Sequence, residues 1–249
     1  FADHTPSVVI YTHDVHDKVR AAAAGVPTIR ALVCMDGAKD GAVSLPELLA
    51  AKLPAPGIAS DEDAIAHLSY TSGTTGKPKG ACLRHEPTVR AARSIGERLR
   101  ITKDDVSFGP SALSSSYQLV GNLLPQLAKG CAINVMGRWT AETGFAALEK
   151  RQATMLIANP PILTDYLDQA RVHGRNVPTL RMSMSGGGPV PPVLKSAWFN
   201  ELKLPLVESY GQSELGGFVA LGYPVLDMAE ATTRRVGPAL PDKEVRIRD

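Results

Sequence analysis

The chain of 249 residues reads as an α/β protein built on mostly parallel sheets flanked by helices. Two observations predict this. Short apolar, β-branched runs alternate with helix-period runs almost from end to end, which is the rhythm of βαβ units. Glycine clusters also follow several of those apolar runs, where open α/β sheets place their ligands.

Taken in order, "SVVIYT" is the first strand, and "DVHDKVRAAAAG" is a helix that Asp14 would cap and Gly25 would stop. "RALVCM" is the second strand. The segment "KLPAPGIASDED", about residues 52–63, has the Pro, Gly and acidic chemistry of a connector. "AIAHLSYTS" is a strand feeding a glycine loop. Val89, Ala92, Ile95 and Leu99 then fall at helical spacings, so the loop is expected between a strand and a helix. "DVSFGP", "CAINVM", "TMLIAN", "LRMSMSGGG" and "PLVESYG" continue the strands. "YQLVGNLLPQLAKG", "AETGFAALEKRQ", "PPILTDYLDQARVHG" and "PPVLKSAWFNEL" are the helices between them. Ser72, Gly186 and Gly211 mark the strand ends that stand out.

Composition narrows the function classes. The 27 basic and 25 acidic residues leave a net charge of +2 with no long single-sign run, which gives no footprint for nucleic acid. No apolar run approaches the roughly 20 residues needed to span a bilayer, and "FADHTPSVVI" lacks a charged-then-apolar leader. The three cysteines, Cys34, Cys82 and Cys131, lie far apart beside apolar residues and read as buried reduced thiols of a cytoplasmic protein. The chain begins without methionine, as a segment of a longer protein would.

Three stretches carry candidate chemistry. "YTSGTTGKPKG" has the small residues of a phosphate loop, whose unhindered backbone N–H groups can converge on phosphate oxygens. It is not the common P-loop, because Thr71 stands where the first glycine belongs and Pro78 follows Lys77 where a hydroxyl belongs. "SGGGPVPP" is either a tight strand-to-helix turn or a backbone that lies close against a flat ring. Pro191 at the third glycine position separates it from a dinucleotide fingerprint. "ESYGQSELGG" joins an aromatic ring, a hydroxyl and a carboxylate, which can stack on a purine, bond a phosphate and hold magnesium. Gly211 and Ser213 fit a hydrolase nucleophile elbow, but Leu215 replaces its second glycine.

These three motifs, with "VGPALPDKEVRIRD", resemble in order and spacing the adenylate-forming (AMP-binding) superfamily of acyl-CoA synthetases, luciferases and peptide-synthetase adenylation domains. The resemblance covers the chain from about Ile65 onward. It implies the fold of that family's large N-terminal domain over residues 1–249. It also implies a two-step reaction in which a carboxylate attacks the α-phosphate of ATP and a thiol such as that of coenzyme A takes the acyl group. By position, Thr71, Ser72, Gly73, Thr74, Thr75 and Gly76 would cradle the β and γ phosphates, with Lys79 at the family's lysine position. Gly186, Gly187, Gly188 and Pro189 would lie along adenine, and the strand end Glu208, Ser209, Tyr210, Gly211 and Gln212 would complete the nucleotide site with Tyr210 stacked on the base. Ser213 would bond the α-phosphate and Glu214 would hold Mg²⁺, so that Thr71, Lys79 and Glu214 carry the catalytic roles. The resemblance further implies an acid–thiol ligase of acyl or fatty acid metabolism that acts on a small-molecule carboxylate. The chain ends before the ribose-binding aspartate, the hinge and the mobile lid domain with its lysine. It therefore reads as a core fragment expected to bind ATP weakly and to adenylate poorly.

An α-amino acid substrate would need a buried acid after the phenylalanine of "SFGPSALSSSYQL", and Gly109 stands there. An acyl or aryl acid is therefore expected, with Ser115, Ser116 and Tyr117 lining its pocket and Leu113 about where many relatives carry histidine. An ATP-binding module without full activity and a serine hydrolase acting through Ser213 are the alternatives. His13, Asp14, His16 and Asp17 have metal-ligand chemistry but read as the solvated face of a helix start. His85 reads as a helix start, and Trp139, Trp198, Met182 and Met184 as packing residues.

Overall fold

The computed structural model describes residues 1–57, 59, 61–71, 76–226, 235–241 and 243–248. They form two compact units, Phe1–Ala59 and Ser60–Asp249.

The first unit is a three-stranded parallel sheet in the order β1 (Val8–Tyr11), β2 (Ala31–Cys34), β3 (Val43–Ser44), with helices α1 (His16–Ala23) and α2 (Leu45–Ala50). Tyr11, Cys34 and Ala42 form its small core with Val9, Val15, Val19 and Leu32. Asp14 does not cap α1. A short 3₁₀ turn, His13–Val15, follows β1, and α1 begins only at His16. Gly25, at φ +80°, takes the left-handed position just beyond the end of α1, where glycine costs least. His16 is not on a solvated face. It is 1% exposed, with its Nδ1 2.8 Å from the Tyr11 hydroxyl and its Nε2 3.4 Å from Asp40. The helix α2 was not expected, although Ser44 accepts a hydrogen bond from the Glu47 N–H at its start with Pro46 between them.

The second unit opens on a hairpin. β4 (Ile65–Thr71) pairs antiparallel with β5 (Lys79–Arg84), Thr71 opposite Lys79, and α3 (His85–Arg98) follows directly. The glycine loop therefore joins two antiparallel strands rather than a strand and a helix. The sequence periodicity of α3 hid the strand before it, because "KGACLR" carries charges and a glycine on its exposed positions. Ala92, Ile95 and Leu99 are buried as expected. Val89 is 44% exposed, and Thr88 and Ala91 complete the buried stripe instead.

The main sheet has six strands in the order β11 (Ala220–Leu221), β10 (Leu206–Tyr210), β9 (Met182–Ser185), β8 (Met155–Ile157), β6 (Val106–Gly109), β7 (Ala132–Val135). All neighbours are parallel except β10 and β11. From β6 the chain crosses to β7 through α4 (Ser116–Gln118), a π-helical turn and α5 (Leu124–Lys129). It returns past β6 to β8 through α6 (Ala141–Lys150), and continues outward through α7 (Pro160–His173) and α8 (Pro192–Ala197). The direction of crossing thus reverses beside β6, where α/β sheets open a crevice.

Both faces of the central strands are covered: β8 is apolar and buried throughout, and β9 buries its serines as well as its methionines. Leu156 and Ala158 pack toward Phe145, Tyr166 and Trp198 on one side. Met155, Ile157, Met182 and Met184 pack toward Ile95, Leu99 and Phe218 on the other. Trp198 and both methionines are fully buried, and Trp139 donates its ring N–H to Asp165 at 2.9 Å, so these are packing residues. The helix after β6 is interrupted by a π turn at Leu119–Leu123. Pro125, within the first turn of α5, has no N–H to give Gly121, and the looser turn absorbs the missing bond. Cys34 is buried and Cys131 half-buried, but Cys82 is exposed on the hairpin, contrary to the expectation for three buried thiols. Among the described residues no helix is long and apolar enough to cross a membrane.

Candidate functional site

The carboxyl ends of β9 and β10 carry the second and third motifs, and they converge. Gly187, Gly188, Pro189, Glu208, Ser209, Tyr210, Gly211 and Gln212, joined by Val236, line an open cleft of about 430 Å³. Gly187, Ser209, Gly211 and Gln212 also border a second cavity of about 230 Å³, whose far wall is Ser115, Ser116, Tyr117, Ser213, Gly217 and Phe218. The two spaces therefore adjoin along Gly187, Ser209, Gly211 and Gln212.

The three glycines of "SGGG" do different jobs. A side chain on Gly186 would meet the Ser209 hydroxyl at 2.2 Å and the Tyr117 ring at 2.9 Å. The protein's own packing already requires glycine there. Gly187, at φ +76°, and Gly188 face open space with nothing within 4 Å, so the cleft floor there is bare backbone. Gly211 is the most constrained, since a Cβ would lie 1.6 Å from the Gly217 carbonyl. That contact closes the loop after β10: Gly217 N–H donates to the Gln212 carbonyl at 3.0 Å, and Val219 N–H to the Tyr210 carbonyl at 2.9 Å.

The loop presents its side chains in a graded way. Tyr210 is 49% exposed at the cleft, and Gln212 donates to its hydroxyl at 3.3 Å. Ser209 is buried and donates to the Ser185 carbonyl at 2.9 Å, tying β10 to β9. Glu208 is held from behind by the buried Lys195 ammonium at 3.2 Å. Ser213, on a single 3₁₀ turn, shares a hydrogen bond of 2.8 Å with the Ser116 hydroxyl, which links the loop after β10 to the segment after β6. Glu214, one residue on, is exposed and has no hydrogen bond or ion pair to another described residue. Tyr117 stays protonated: burial pushes its phenol far above the ordinary range, and its hydroxyl donates to the Met184 carbonyl at 3.0 Å. It is a wall and a strut, not a base.

The first motif is placed in part. β5 runs beside the Ser213–Leu215 turn, which brings the hairpin to the site. Thr71 ends β4 and its hydroxyl lies 3.5 Å from the Lys79 carbonyl; Lys79 is exposed and Gly76 has φ +94°. Ser72, Gly73, Thr74 and Thr75 lie outside the described residues. Val236, Gly217 and Phe218 were not among the expected site residues. Val236 lies within the quoted stretch "VGPALPDKEVRIRD", where only its contact with the cleft separates it from its neighbours.

Two cavities thus adjoin at a strand end rich in glycine, one beside Tyr210 and one beside the hydroxyls of Ser115, Ser116 and Ser213. The sequence pattern of the AMP-binding enzymes fits residues 1–249. The chain belongs to the AMP-binding enzyme family. Within that family it is 35% identical over 215 residues to 4-coumarate–CoA ligase 3 of Oryza sativa subsp. japonica, covering 82% of this chain and 38% of the ligase. It is 30% identical over 227 residues to a 4-hydroxybenzoate–CoA/benzoate–CoA ligase of Rhodopseudomonas palustris, covering 89% of this chain and 42% of the relative. The chain thus spans about two fifths of these AMP-binding relatives. Among solved structures, ATP-bound MatB from Rhodopseudomonas palustris superposes with a TM-score of 0.82 at 25% identity, over 96% of this chain and 46% of that one. An anthranilate CoA ligase in complex with anthranoyl-AMP has the same fold, with a TM-score of 0.84 at 20% identity over 96% of this chain and 46% of that one. The adenylate-forming acyl- and aryl-CoA ligases are therefore this chain's kin, and their mostly parallel α/β fold is its fold.

Proposed function

We propose that this chain carries the nucleotide- and acyl-binding face of an enzyme that activates a carboxylic acid with ATP and passes the acyl group to a thiol such as that of coenzyme A. The observation that carries the reading is that two cavities adjoin along Gly187, Ser209, Gly211 and Gln212. A nucleotide in the larger would place its α-phosphate where a carboxylate in the smaller can reach it. Proximity of this kind replaces a covalent protein nucleophile, since adenylyl transfer needs positioning and charge stabilisation.

In this reading the base lies along Gly187 and Gly188 and stacks on Tyr210. Thr71, Lys79 and the loop 72–76 hold the β and γ phosphates. The Ser213 hydroxyl, oriented by Ser116, donates to an α-phosphate oxygen. The carboxylate oxygen forms a new bond to the α-phosphorus as the bond to the departing pyrophosphate breaks. Glu214 fits a hard divalent cation, being an exposed oxygen donor with no partner among the described residues. Mg²⁺ held there would neutralise charge on the phosphates.

The acid is of the acyl or aryl class, which the names of the CoA-ligase relatives support. An amino acid is disfavoured by space as well as charge, because any side chain at Gly109 would strike Asn122 at 2.2 Å and Gln118 at 2.4 Å. A serine hydrolase is disfavoured because the Ser213 hydroxyl bonds another hydroxyl, Ser116, rather than an imidazole. The test is to express the complete coding sequence that contains this chain and to supply ATP, Mg²⁺, coenzyme A and a panel of carboxylates. Acyl-adenylates and CoA thioesters detected by mass are expected. ATP binding with no adenylate from any acid would favour a nucleotide-binding module instead.

A further inference from the structure

The first unit holds a donor cluster that the adenylation chemistry does not use. One ring nitrogen of His13, the Cys34 sulfur and one carboxylate oxygen of Asp36 all lie within 4.8 Å of one another. His13 begins the turn that follows β1 after Thr12, Cys34 is the last residue of β2, and Asp36 stands two residues beyond it. β1 and β2 are parallel neighbours with Tyr11 opposite Cys34, so both connections leave the same end of the sheet. That is the end at which α/β sheets gather ligands.

We propose that His13, Cys34 and Asp36 form a binding site for a borderline-soft divalent transition-metal ion of the Zn²⁺ class. Sulfur, nitrogen and oxygen donors from three different residue types suit such an ion, whereas the hard Mg²⁺ and Ca²⁺ take oxygen alone. The cluster is arranged with the thiol at the bottom and the other two donors at the rim: Cys34 is wholly buried, while His13 and Asp36 are exposed. Asp36 is already oriented, since the backbone N–H of His13 donates to its Oδ2 at 2.7 Å. The neighbouring polar groups are engaged with one another, His16 with Tyr11 at 2.8 Å and with Asp40 at 3.4 Å. Bonds of about 2.0–2.3 Å to a tetrahedral ion put its donors roughly 3.3–3.8 Å apart. A separation of up to 4.8 Å therefore closes by a rotamer adjustment of the exposed His13 and Asp36. Three protein ligands leave a fourth position for water or another ligand.

Binding of the ion is read directly, without nucleotide or activity. Tag-free, reduced 249-residue protein is titrated with Zn²⁺ against a chromophoric chelator, and with Co²⁺ as a spectroscopic probe. One equivalent of Zn²⁺ is expected, with a thiolate-to-cobalt charge-transfer band that Cys34→Ser abolishes. His13→Ala and Asp36→Asn, both at exposed positions, should each weaken Zn²⁺ more than about tenfold, the least that loss of even an outer partner costs. The Cys82→Ser/Cys131→Ser double variant should bind as wild type does. If Cys34→Ser unfolds, the Zn²⁺-induced rise in Tm, present in wild type and lost in the two rim variants, carries the same information. No stoichiometric binding, binding unchanged in both rim variants, or a cobalt spectrum without the thiolate band would overturn the site.

Discussion

The two ends of the six-stranded sheet carry similar residues and put them to opposite uses. At the amino end, Asp105 before β6 is 5% exposed and receives a double hydrogen bond from Arg181, through Nε at 2.7 Å and Nη2 at 2.9 Å. Thr154 before β8 donates to it at 2.7 Å and the Thr102 N–H at 2.9 Å. Both carboxylate oxygens are engaged, and three strand starts are pinned together. At the carboxyl end, Glu214 is exposed without a partner among the described residues, and the cleft floor at Gly187 and Gly188 is bare backbone. A carboxylate saturated by the fold is structural, and an exposed one without a partner among the described residues is available to a ligand.

Breaking the closed end should cost most. Asp105→Asn leaves Arg181 without its counter-ion in a half-buried site and should destabilise the second unit by about 3–5 kcal/mol in urea denaturation, with ATP affinity of the folded fraction unchanged. The same group sets an acid dependence. Burial alone would raise the Asp105 carboxyl, but the hydrogen bonds from Arg181, Thr102 and Thr154 and the Arg181 charge outweigh it and hold it below its ordinary 3.8. The folded form then binds fewer protons than the unfolded one just below that value. Its stabilising contribution is full above about pH 4 and is lost as pH falls through the depressed value. Wild type should lose stability more steeply than Asp105→Asn below pH 4, and equal slopes would refute the assignment.

At the open end, Glu214→Gln should leave stability within about 0.5 kcal/mol and lower Mg²⁺-dependent adenylation in the complete protein by about 10²-fold. The glycines offer a sharper contrast. Gly186→Ala should destabilise by about 1–3 kcal/mol through its clash with Ser209 and Tyr117. Tyr210→Ala removes a half-exposed ring, so it should change stability little while weakening ATP and AMP by roughly tenfold, as lost base stacking does. Gly188→Ala has the smallest expected effect: unchanged stability, with a decrease in nucleotide affinity only if the base lies along that backbone. Calorimetry on these three variants separates packing glycines from ligand-facing ones.

Much of the fold was legible because parallel strands buried on both faces announce themselves as apolar runs, and helices such as α7, with Pro160 at its start and Gly174 at its end, carry their own boundaries. The hairpin strand β5 was not legible. Its pairing with β4, not its own residues, makes "KGACLR" a strand. His16 misled for a related reason: at a helix start it reads as solvated, yet a tyrosine from β1 and an aspartate beyond β2 cover it. In the site, the motifs named the strand ends correctly, but "SGGG" could not say which glycine serves packing and which faces the cleft. Nor could Ser116 be connected to Ser213 across almost a hundred residues.

Local chemistry alone determined the α/β class, the positions of most elements, and the small-residue, hydroxyl and carboxylate makeup of the three motifs. Those properties depend on backbone propensity and on periodic burial, which act over a few residues. Tertiary structure decided the rest: that two cavities adjoin at the end of β10, that Glu208 is engaged by Lys195 while Glu214 is exposed, and that His13 lies close to Cys34 and Asp36. Each of these depends on which strands become neighbours, and long-range pairing leaves no mark on the residues that it brings together.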